Sequence, residues 1–302
     1  MKKKSTPFDK FIKKKSNAAI KEEFRQEKKK WKKEREEYFE KKRQQSAAGS
    51  RQSAIDNKHP ATSEMPLNKF IAHCGVSSRR DAAELVKLGN VKVNGQLITE
   101  PGHKVSGKDE IRINVKKVFL AKNLVYILLN KPKDFISTTE DPQGRKTVLD
   151  LIRRATNERV YPVGRLDRNT SGVLLLTNDG ELSQKLTHPS NEIKKVYAVT
   201  LNKPLEKKDF DQILKGVVLE DGPAPVDKLA FADIKDKTQL GVELHSGRNR
   251  IVRRIFEHLG YDVKQLDRVM FAGLTKKNVE RGKWRFLNEK EVRELKYFGK
   301  GK

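Results

Sequence analysis

The sequence predicts an α+β fold, and three observations lead to this prediction. Segments with strand character outnumber segments with helical character after about residue 65. Their spacing is too irregular for repeated strand–helix–strand units, which would build a parallel sheet. The apolar run Val173–Leu176 lies between Gly172 and the turn Asn178-Asp179-Gly180, which is typical of a short buried strand.

The N-terminal segment differs in composition from the rest of the chain. Lys, Arg and Glu dominate residues 1–46, as in KKKWKKEREEYFEKKRQQ, and residues 47–64 are mostly small or polar. Because this segment lacks a sustained apolar stripe, it offers no face on which a core could form. We predict a basic, disordered arm that either becomes helical on RNA or serves as a solubility tail.

A first folded domain follows the arm. Residues 66–72 (PLNKFIA) begin a short predicted helix, and residues 77–88 (SSRRDAAELVKL) predict a second one with Ser77 or Ser78 as its N-cap. The segment VKVNGQLI alternates around Asn94-Gly95, which is a hairpin signal. The alternating segment DEIRINV then predicts a further strand.

A larger domain carries most of the predicted strands. YILLNKP predicts an apolar strand that ends at a Lys-Pro turn, and KVYAVTL alternates as a strand does. A helix is predicted over residues 205–214. Residues 241–274 predict a strand, a turn, an amphipathic helix and another strand. The predicted boundaries are residues 1–64 for the arm, 65–118 for the first domain, 123–288 for the larger domain and 289–302 for a basic C-terminal tail.

Composition indicates the class of partner and excludes several kinds of site. The formal net charge of +26, from 66 Lys and Arg against 40 Asp and Glu, favours nucleic acid as partner over basic tails alone. The single cysteine, Cys74, excludes an intrachain disulfide and a cysteine-rich zinc site. The sequence also lacks a Gly-rich phosphate loop, a dinucleotide fingerprint, metal-ligand spacing of histidines, a membrane-length apolar run and a secretory signal. We therefore expect a cytoplasmic protein, and an enzyme built from these residues would use a carboxylate and no cofactor.

The candidate carboxylate is Asp167, within VGRLDRNTSGVLLLTNDG. It lies between Arg165 and Arg168, ahead of the predicted buried strand. Loops on a rigid scaffold often carry catalytic groups, although an isolated loop aspartate is more often a turn cap.

Four segments together resemble the rRNA pseudouridine synthases that carry an N-terminal S4-type RNA-binding domain. They are LNKPKDFISTT, YPVGRLDRNTSGVLLLTNDGELSQKLTHPS, KVYAV and SGRNRIVRRIFEHLGYDVKQLDRVMFAGL. The helix–helix–hairpin order of the first domain, with Ser-Arg-Arg opening the second helix, resembles the S4-type domain itself. The resemblance covers about residues 65–287 and implies a catalytic domain with a central, mainly antiparallel sheet. It further implies isomerisation of uridine to pseudouridine in rRNA, and the segment SGRNRIVRR favours 23S rRNA.

The resemblance also implies roles for individual residues. Asp167 takes the position of the catalytic aspartate, Tyr197 that of the active-site tyrosine, and Arg253 that of the cation that keeps the carboxylate ionised. Val252 or Ile251 would form the apolar side of the pocket. Because the uridine must leave its stack to reach the carboxylate, base flipping is expected. Further RNA contacts are expected from Arg165, Arg248, Arg250, Arg254 and Lys131 in the larger domain and from Arg79, Arg80, Lys87, Lys92 and Asn94 in the first domain. Two alternatives are equally open: Lys131 as a solvated turn lysine, and Arg165 as a structural arginine paired with the loop backbone.

Two positions depart from the pattern of the large-subunit enzymes. Ser246 stands where Glu is common, and Ile251 stands where Gln is common, and both positions bear on the choice of uridine. The main hypotheses are a 23S rRNA enzyme, a 16S rRNA enzyme of the same fold, and a non-catalytic RNA-binding ribosome-assembly factor. A regulatory DNA-binding protein is a distant alternative, since no helix-turn-helix signature is evident. The expected partner is ribosomal RNA or an assembly intermediate, and the expected state is a monomer.

Overall fold

The computed structural model describes Gln26 and residues 64–120, 123–233 and 235–297. The predicted arm therefore lies outside the described residues, apart from Gln26 and Glu64. Residues 1–61 and 62–302 form two separate units, and the elements below belong to the second unit. Among the helices that the structure describes, none combines the length and apolar character needed to cross a membrane.

The first domain packs two helices against small sheets. Its elements are α1 (Leu67–His73), α2 (Arg79–Lys87), β1 (Met65–Pro66), β2 (Val91–Val93), β3 (Gln96–Leu97), β4 (Lys104–Val105), β5 (Ile111–Ile113) and β6 (Lys116–Val118). Strands β3, β2, β5 and β6 form an antiparallel sheet in that order, and β1 pairs with β4. Apolar residues from both helices and from β2, β4 and β5 form one core.

Helix α2 begins with a reciprocal cap between Ser78 and Asp81. The Ser78 hydroxyl accepts a hydrogen bond from the Asp81 N–H, and the Asp81 carboxylate accepts one from the Ser78 N–H. This capping box satisfies N–H groups that the first helical turn leaves unpaired. Of the two serines predicted as cap, Ser78 therefore has this role.

The larger domain contains five described α-helices, one described 3-10 helix (Pro189–Asn191) and eleven described strands. The helices are α3 (Val148–Ile152), α4 (Gly180–Thr187), α5 (Lys207–Lys215), α6 (Ile251–His258) and α7 (Glu289–Tyr297). The strands are β7 (Tyr126–Lys131), β8 (Tyr161–Pro162), β9 (Ser171–Thr177), β10 (Lys195–Leu201), β11 (Val217–Leu219), β12 (Gly222–Ala224), β13 (Lys228–Phe231), β14 (Gln239–Leu244), β15 (Val263–Phe271), β16 (Leu274–Thr275) and β17 (Trp284–Phe286).

Nine of these strands form one central sheet. Its main order is β13-β14-β10-β15-β9-β7-β17, with β8 beside β9 and β16 beside β15. The pairing is antiparallel except between β15 and β9, which run parallel. The predicted α+β class and the mainly antiparallel central sheet are therefore confirmed.

At the parallel pairing, Gly172 lies against the backbone of Arg268. A Cβ at Gly172 would overlap the Arg268 backbone, and the residue has φ +113°, which other residues rarely adopt. Glycine is therefore required where β9 begins to run beside β15. This close approach brings the loop that precedes β9 next to β15.

Strand β9 lies between two hydrophobic clusters. Because side chains alternate along a strand, Leu174 and Leu176 join the cluster on one face, while Val173 and Leu175 join the cluster on the other. Residues of α3, α5 and α6 belong to the first cluster, and residues of α4 and α7 belong to the second. The apolar run in the sequence is therefore a strand buried on both faces.

The predicted basic C-terminal tail contains a helix that packs on the larger domain. Residues 289–297 form α7, in which Leu295 is 1% exposed and packs into the second cluster. Arg285 on β17 donates two hydrogen bonds to the Glu291 carboxylate, at 2.7 and 2.8 Å, which fixes the start of the helix. Most residues of this segment are polar, so its sequence did not predict a helix. The helix packs on the second cluster through Leu295 and Val292.

Candidate active site

A cleft of about 790 Å³ lies where the loop before β9, strands β10 and β15, and the start of α6 meet. Its volume is in the range that accommodates a nucleotide-sized ligand. Several residues predicted from the sequence lie together in its wall. They are Arg165, Asp167, Tyr197, Arg248, Arg250, Ile251 and Val252.

Backbone hydrogen bonds hold the Asp167 loop in place. The Ser137 hydroxyl donates to the Leu166 carbonyl at 3.0 Å and accepts from the Leu166 N–H at 3.2 Å. The Thr170 N–H donates to the Asp167 carbonyl at 3.0 Å, which closes a turn. The Asp167 carboxylate itself has no hydrogen-bond or ion-pair partner within the described part of the chain. It is therefore a half-buried acid that lines the cleft with its acceptors free.

Lys131, at the end of β7, is the main support of this loop. Its side chain is 0% exposed, and its ammonium donates to the carbonyls of Pro132, Asp167, Arg168 and Thr170 at 2.8 to 3.3 Å. Burial lowers the pKa of Lys131 to about 8, against the opposing effect of the Asp167 and Asp134 charges. An RNA phosphate, the contact predicted for Lys131 from the sequence, would have to compete with these backbone carbonyls for its donors.

Arg253, on α6, approaches the same loop from another direction. Its guanidinium donates to the carbonyls of Val263 at 2.7 Å and Asn169 at 3.3 Å. Burial and the charge of Arg250 lower the pKa of Arg253, whereas the Asp167 charge raises it. Arg253 and Asp167 thus interact electrostatically, but they do not form a direct ion pair in the described structure. The family resemblance implies that Arg253 is the charge partner of Asp167. The structure adds a hydrogen bond from Arg253 to the carbonyl of Asn169, two residues after Asp167.

Tyr197 lies in the middle of β10 and lines the cleft together with Asp167. Its backbone pairs with Val242 on one side and Arg268 on the other. The side chain is 9% exposed, so one part of the ring belongs to the core and the remainder faces the cleft. This position suits a ring that packs against a base inserted into the cleft.

The predicted RNA-contacting arginines of the larger domain divide into two groups. Arg165 is exposed at the cleft and has no hydrogen-bond or ion-pair partner among the described residues. Arg250, in the left-handed region with φ 47°, begins α6 and pairs with Glu257 at 3.1 Å. Both arginines line the cleft.

Arg248 and Arg254 instead hold the hairpin β11–β12. Arg248 donates to the carbonyls of Asp221, Gly222 and Pro223 at 3.1 to 3.3 Å. Arg254 pairs with the Asp221 carboxylate at 2.6 Å and with Glu220 at 3.0 Å. A phosphate contact by Arg254 would therefore compete with two carboxylates.

In the first domain, Arg79, Arg80, Lys87 and Lys92 are exposed. Arg79 and Arg80 form the first turn of α2, where unpaired N–H groups favour an anion. Asn94, also predicted to contact RNA, makes hydrogen bonds within the domain. Its side chain donates to the Asp109 carboxylate and accepts from the Glu110 N–H, both at 2.9 Å.

Sequence reasoning missed two basic residues that line the cleft, Lys195 and Arg268. Lys195 donates to the carbonyls of Ile193 and His245, and burial lowers its pKa to about 8. Arg268 is 2% exposed, and its Nε donates to the Val173 carbonyl at 2.8 Å. A signal was present in the sequence: Arg268 follows Leu266 by two residues, so strand alternation places both on one face.

Comparisons with known proteins agree with this arrangement. Residues 125–258 match the family model of RNA pseudouridylate synthases, and residues 65–111 match that of the S4 domain. The ribosomal large subunit pseudouridine synthase B of Bacillus subtilis is 44% identical over 233 residues, which are 76% of this chain and 95% of that protein. An uncharacterized RNA pseudouridine synthase of Aquifex aeolicus is 38% identical over 235 residues, 77% of this chain and 94% of that protein.

A solved structure supports the same assignment at the level of the fold. The crystal structure of a pseudouridylate synthase superposes with a TM-score of 0.56 at 28% identity, and the match covers 76% of this chain and 99% of that one. The cleft residues, the two family models and the extent of these matches lead to one conclusion. The chain belongs to the RNA pseudouridine synthases with an N-terminal S4 domain, and it is an isomerase that acts on RNA.

Proposed function

We propose that the enzyme isomerises a uridine of 23S ribosomal RNA in the cytoplasm, with Asp167 as the catalytic carboxylate. The observation that carries the catalytic assignment is the position of Asp167, whose unpaired carboxylate shares one cleft with Tyr197. The large-subunit substrate is supported by the 44% identity to the Bacillus subtilis large-subunit enzyme. The 16S rRNA alternative keeps the same site and differs in the RNA that reaches it.

The geometry provides what the isomerisation requires. The bond from ribose C1′ to N1 of uracil breaks, the base turns, C5 bonds to C1′, and the C5 proton is lost as N1 gains one. Asp167 acts as nucleophile or base at the sugar or the base, and the positive charges of Lys131 and Arg253 act on its ionised form. Tyr197 provides a ring against which the base can stack, and its hydroxyl can take part in moving the C5 proton.

Entry of the uridine requires base flipping. Asp167 is half-buried within the cleft and cannot reach a base that stays stacked in an RNA helix. Arg165 lies exposed beside Asp167 without a protein partner among the described residues, so it can fill the space that the base leaves or hold a phosphate. The exposed basic residues of the S4 domain would supply affinity for the rRNA backbone.

The test is chemical mapping of pseudouridine in rRNA from cells that carry the gene, lack it, or carry Asp167→Asn. We expect one 23S signal to disappear both without the gene and with Asp167→Asn. Asp211→Asn is the matched control, because the Asp211 side chain on α5 is 48% exposed and pairs only with Lys207 in the described structure. It should leave the signal unchanged.

Other outcomes of the mapping would contradict specific parts of the proposal. Loss of a 16S signal instead would refute the 23S substrate while keeping the catalytic assignment. A 23S signal that survives Asp167→Asn would refute the role of Asp167. Unchanged pseudouridine without the gene would refute the rRNA substrate altogether.

A further inference from the structure

Arg268 is a buried cation in the cleft wall with no counter-charge. Its side chain is 2% exposed, and no carboxylate pairs with it among the described residues. One nitrogen, Nε, donates to the Val173 carbonyl, whereas Nη2 has no hydrogen-bond partner. A buried guanidinium is strongly disfavoured unless hydrogen bonds and an opposite charge compensate for lost hydration. Burial accordingly lowers the pKa of Arg268, although the neighbouring Tyr197 partly opposes this.

The residues around Arg268 hold its guanidinium in position, but none of the described residues supplies a negative charge to pair with it. The group lies over the ring of Phe271, 4.6 Å from its centre. Its backbone pairs with that of Tyr197 across β10 and β15, and both residues line the cleft. The nearest acid in sequence, Asp267, is already engaged by Ser171, Lys276 and Arg281. The position of Arg268 is thus held by Phe271, by backbone pairing and by the neighbouring Tyr197, while its enclosed Nη2 lacks an acceptor among the described residues.

The reaction itself generates the missing negative charge, on the assumption that the proposed function is correct. When the C1′–N1 bond breaks, its electron pair leaves with uracil, and the negative charge spreads over N1, O2 and O4 of the detached base. The sugar is neutralised by bonding to the Asp167 carboxylate or by giving up a proton. C5 then bonds to C1′, and the proton lost from C5 ends on N1. During the interval the detached base is an anion in the cleft, beside the guanidinium of Arg268.

We propose that Arg268 is a catalytic residue whose guanidinium, in the cleft wall beside Tyr197, stabilises the uracil anion by its positive charge. The charge appears only after the substrate has entered and the glycosidic bond has begun to break. A preorganised cation at that point accelerates the chemical step more than it strengthens RNA binding. Tyr197, whose backbone pairs with that of Arg268, would hold the base against the guanidinium.

The experiment compares Arg268→Met and Arg268→Lys with the wild-type protein under single-turnover conditions. The substrates are 23S rRNA transcripts containing either uridine or 5-fluorouridine, and the readout is loss of the original nucleoside after digestion, measured by mass spectrometry. Fluorine withdraws electrons and stabilises the departing uracil anion, so the fluorinated base needs less help from the enzyme. Arg281→Met is the matched control, because Arg281 pairs with the adjacent Asp267 at 3.1 Å and does not line the cleft.

We expect Arg268→Met to slow conversion of uridine by about 100-fold, the effect of removing one donor to a developing anion. The defect on the 5-fluorouridine transcript should be about tenfold or less, and the dissociation constant for RNA should change by less than about threefold. Arg268→Lys, which keeps the charge without the fork of donors, should fall between wild type and Arg268→Met. Arg281→Met should match wild type on both transcripts.

Equal defects on the two transcripts, or a defect confined to RNA binding, would overturn the role of Arg268 while leaving the proposed function intact. A wild-type protein that converts neither transcript would overturn the 23S substrate, and the mapping of cellular rRNA would then show which part had failed. If Arg268→Met does not fold, as judged by thermal unfolding, the comparison of the two transcripts with Arg268→Lys decides the question.

Discussion

Lys131 is a buried ammonium that is compensated by backbone carbonyls. Four of these acceptors lie within 3.3 Å, and three of them belong to the Asp167 loop. The same contacts place a positive charge beside the carboxylate. A cation that the sequence suggested for RNA thus acts on the shape and electrostatics of the site.

Lys131→Met should lower the free energy of unfolding by about 2–4 kcal/mol, because it leaves buried carbonyls without donors. It should also slow the single-turnover reaction, because the Asp167 loop loses its support. Denaturant unfolding and single-turnover kinetics measure the two effects. Lys133→Met is the control, since Lys133 is exposed on the following turn. Unchanged stability of Lys131→Met would show that the carbonyls find other donors and that the ammonium is dispensable.

At the scale of elements, the hairpin β11–β12 meets α6 at the edge of the cleft. Arg248 holds the hairpin through its backbone carbonyls, and Arg254 holds it through the Asp221 and Glu220 carboxylates. The pKa of Asp221 is lowered, first of all by its hydrogen bond with Arg254. Because these carboxylates are exposed, an RNA phosphate can replace them at Arg254 at little cost.

Two substitutions show whether Arg254 contacts an RNA phosphate or only holds the hairpin β11–β12. If Arg254 binds a phosphate, Arg254→Gln should weaken RNA binding and reduce the slope of log affinity against log salt by about one. Asp221→Asn should then strengthen binding, since it removes a competing carboxylate. Binding titrations at several salt concentrations measure both. Similar weakening by the two variants would instead show that Arg254 acts only by holding the hairpin.

At the scale of the whole molecule, affinity and chemistry are assigned to different parts of the chain. Residues 1–60 carry 20 Lys and Arg against 9 Asp and Glu, and the exposed basic residues of α2 and β2 add to this charge. The cleft lies in the larger domain. Contacts with the RNA backbone give salt-dependent affinity but do not themselves alter the reacting bond.

Deletion of residues 1–60 should therefore weaken RNA binding and flatten its salt dependence, while the rate of conversion of bound RNA stays close to that of the full chain. Filter binding and single-turnover kinetics at saturating enzyme separate the two quantities. As a comparison, Arg79→Gln with Arg80→Gln tests the S4 domain alone. A collapse of the rate on saturated RNA after the deletion would refute this division between affinity and chemistry.

The sequence by itself determined the features that depend on short stretches of chain. The α+β class, the buried strand β9 and the start of α2 at Ser78 follow from apolar periodicity, turn residues and capping chemistry within a few residues. The segment GRLDRNTSG likewise identified Asp167, and its resemblance to a known family identified the chemistry. The family comparison confirms the pseudouridine synthase assignment, and Asp167 lines the same cleft as Tyr197, which supports the proposed catalytic role.

Only the tertiary structure decided what the long basic side chains do. Lys131 bonds to carbonyls about 36 to 39 positions away along the chain, and Arg268 to one that is 95 positions away. Such partners meet only when β7, β9, β10 and β15 assemble into one sheet. Local sequence patterns show which face of a helix or strand is apolar. The role of a long basic side chain instead depends on which backbone groups, distant in sequence, surround it in the fold. The same lysine or arginine can therefore bind RNA, support a loop or face a reacting base, and folding decides among these.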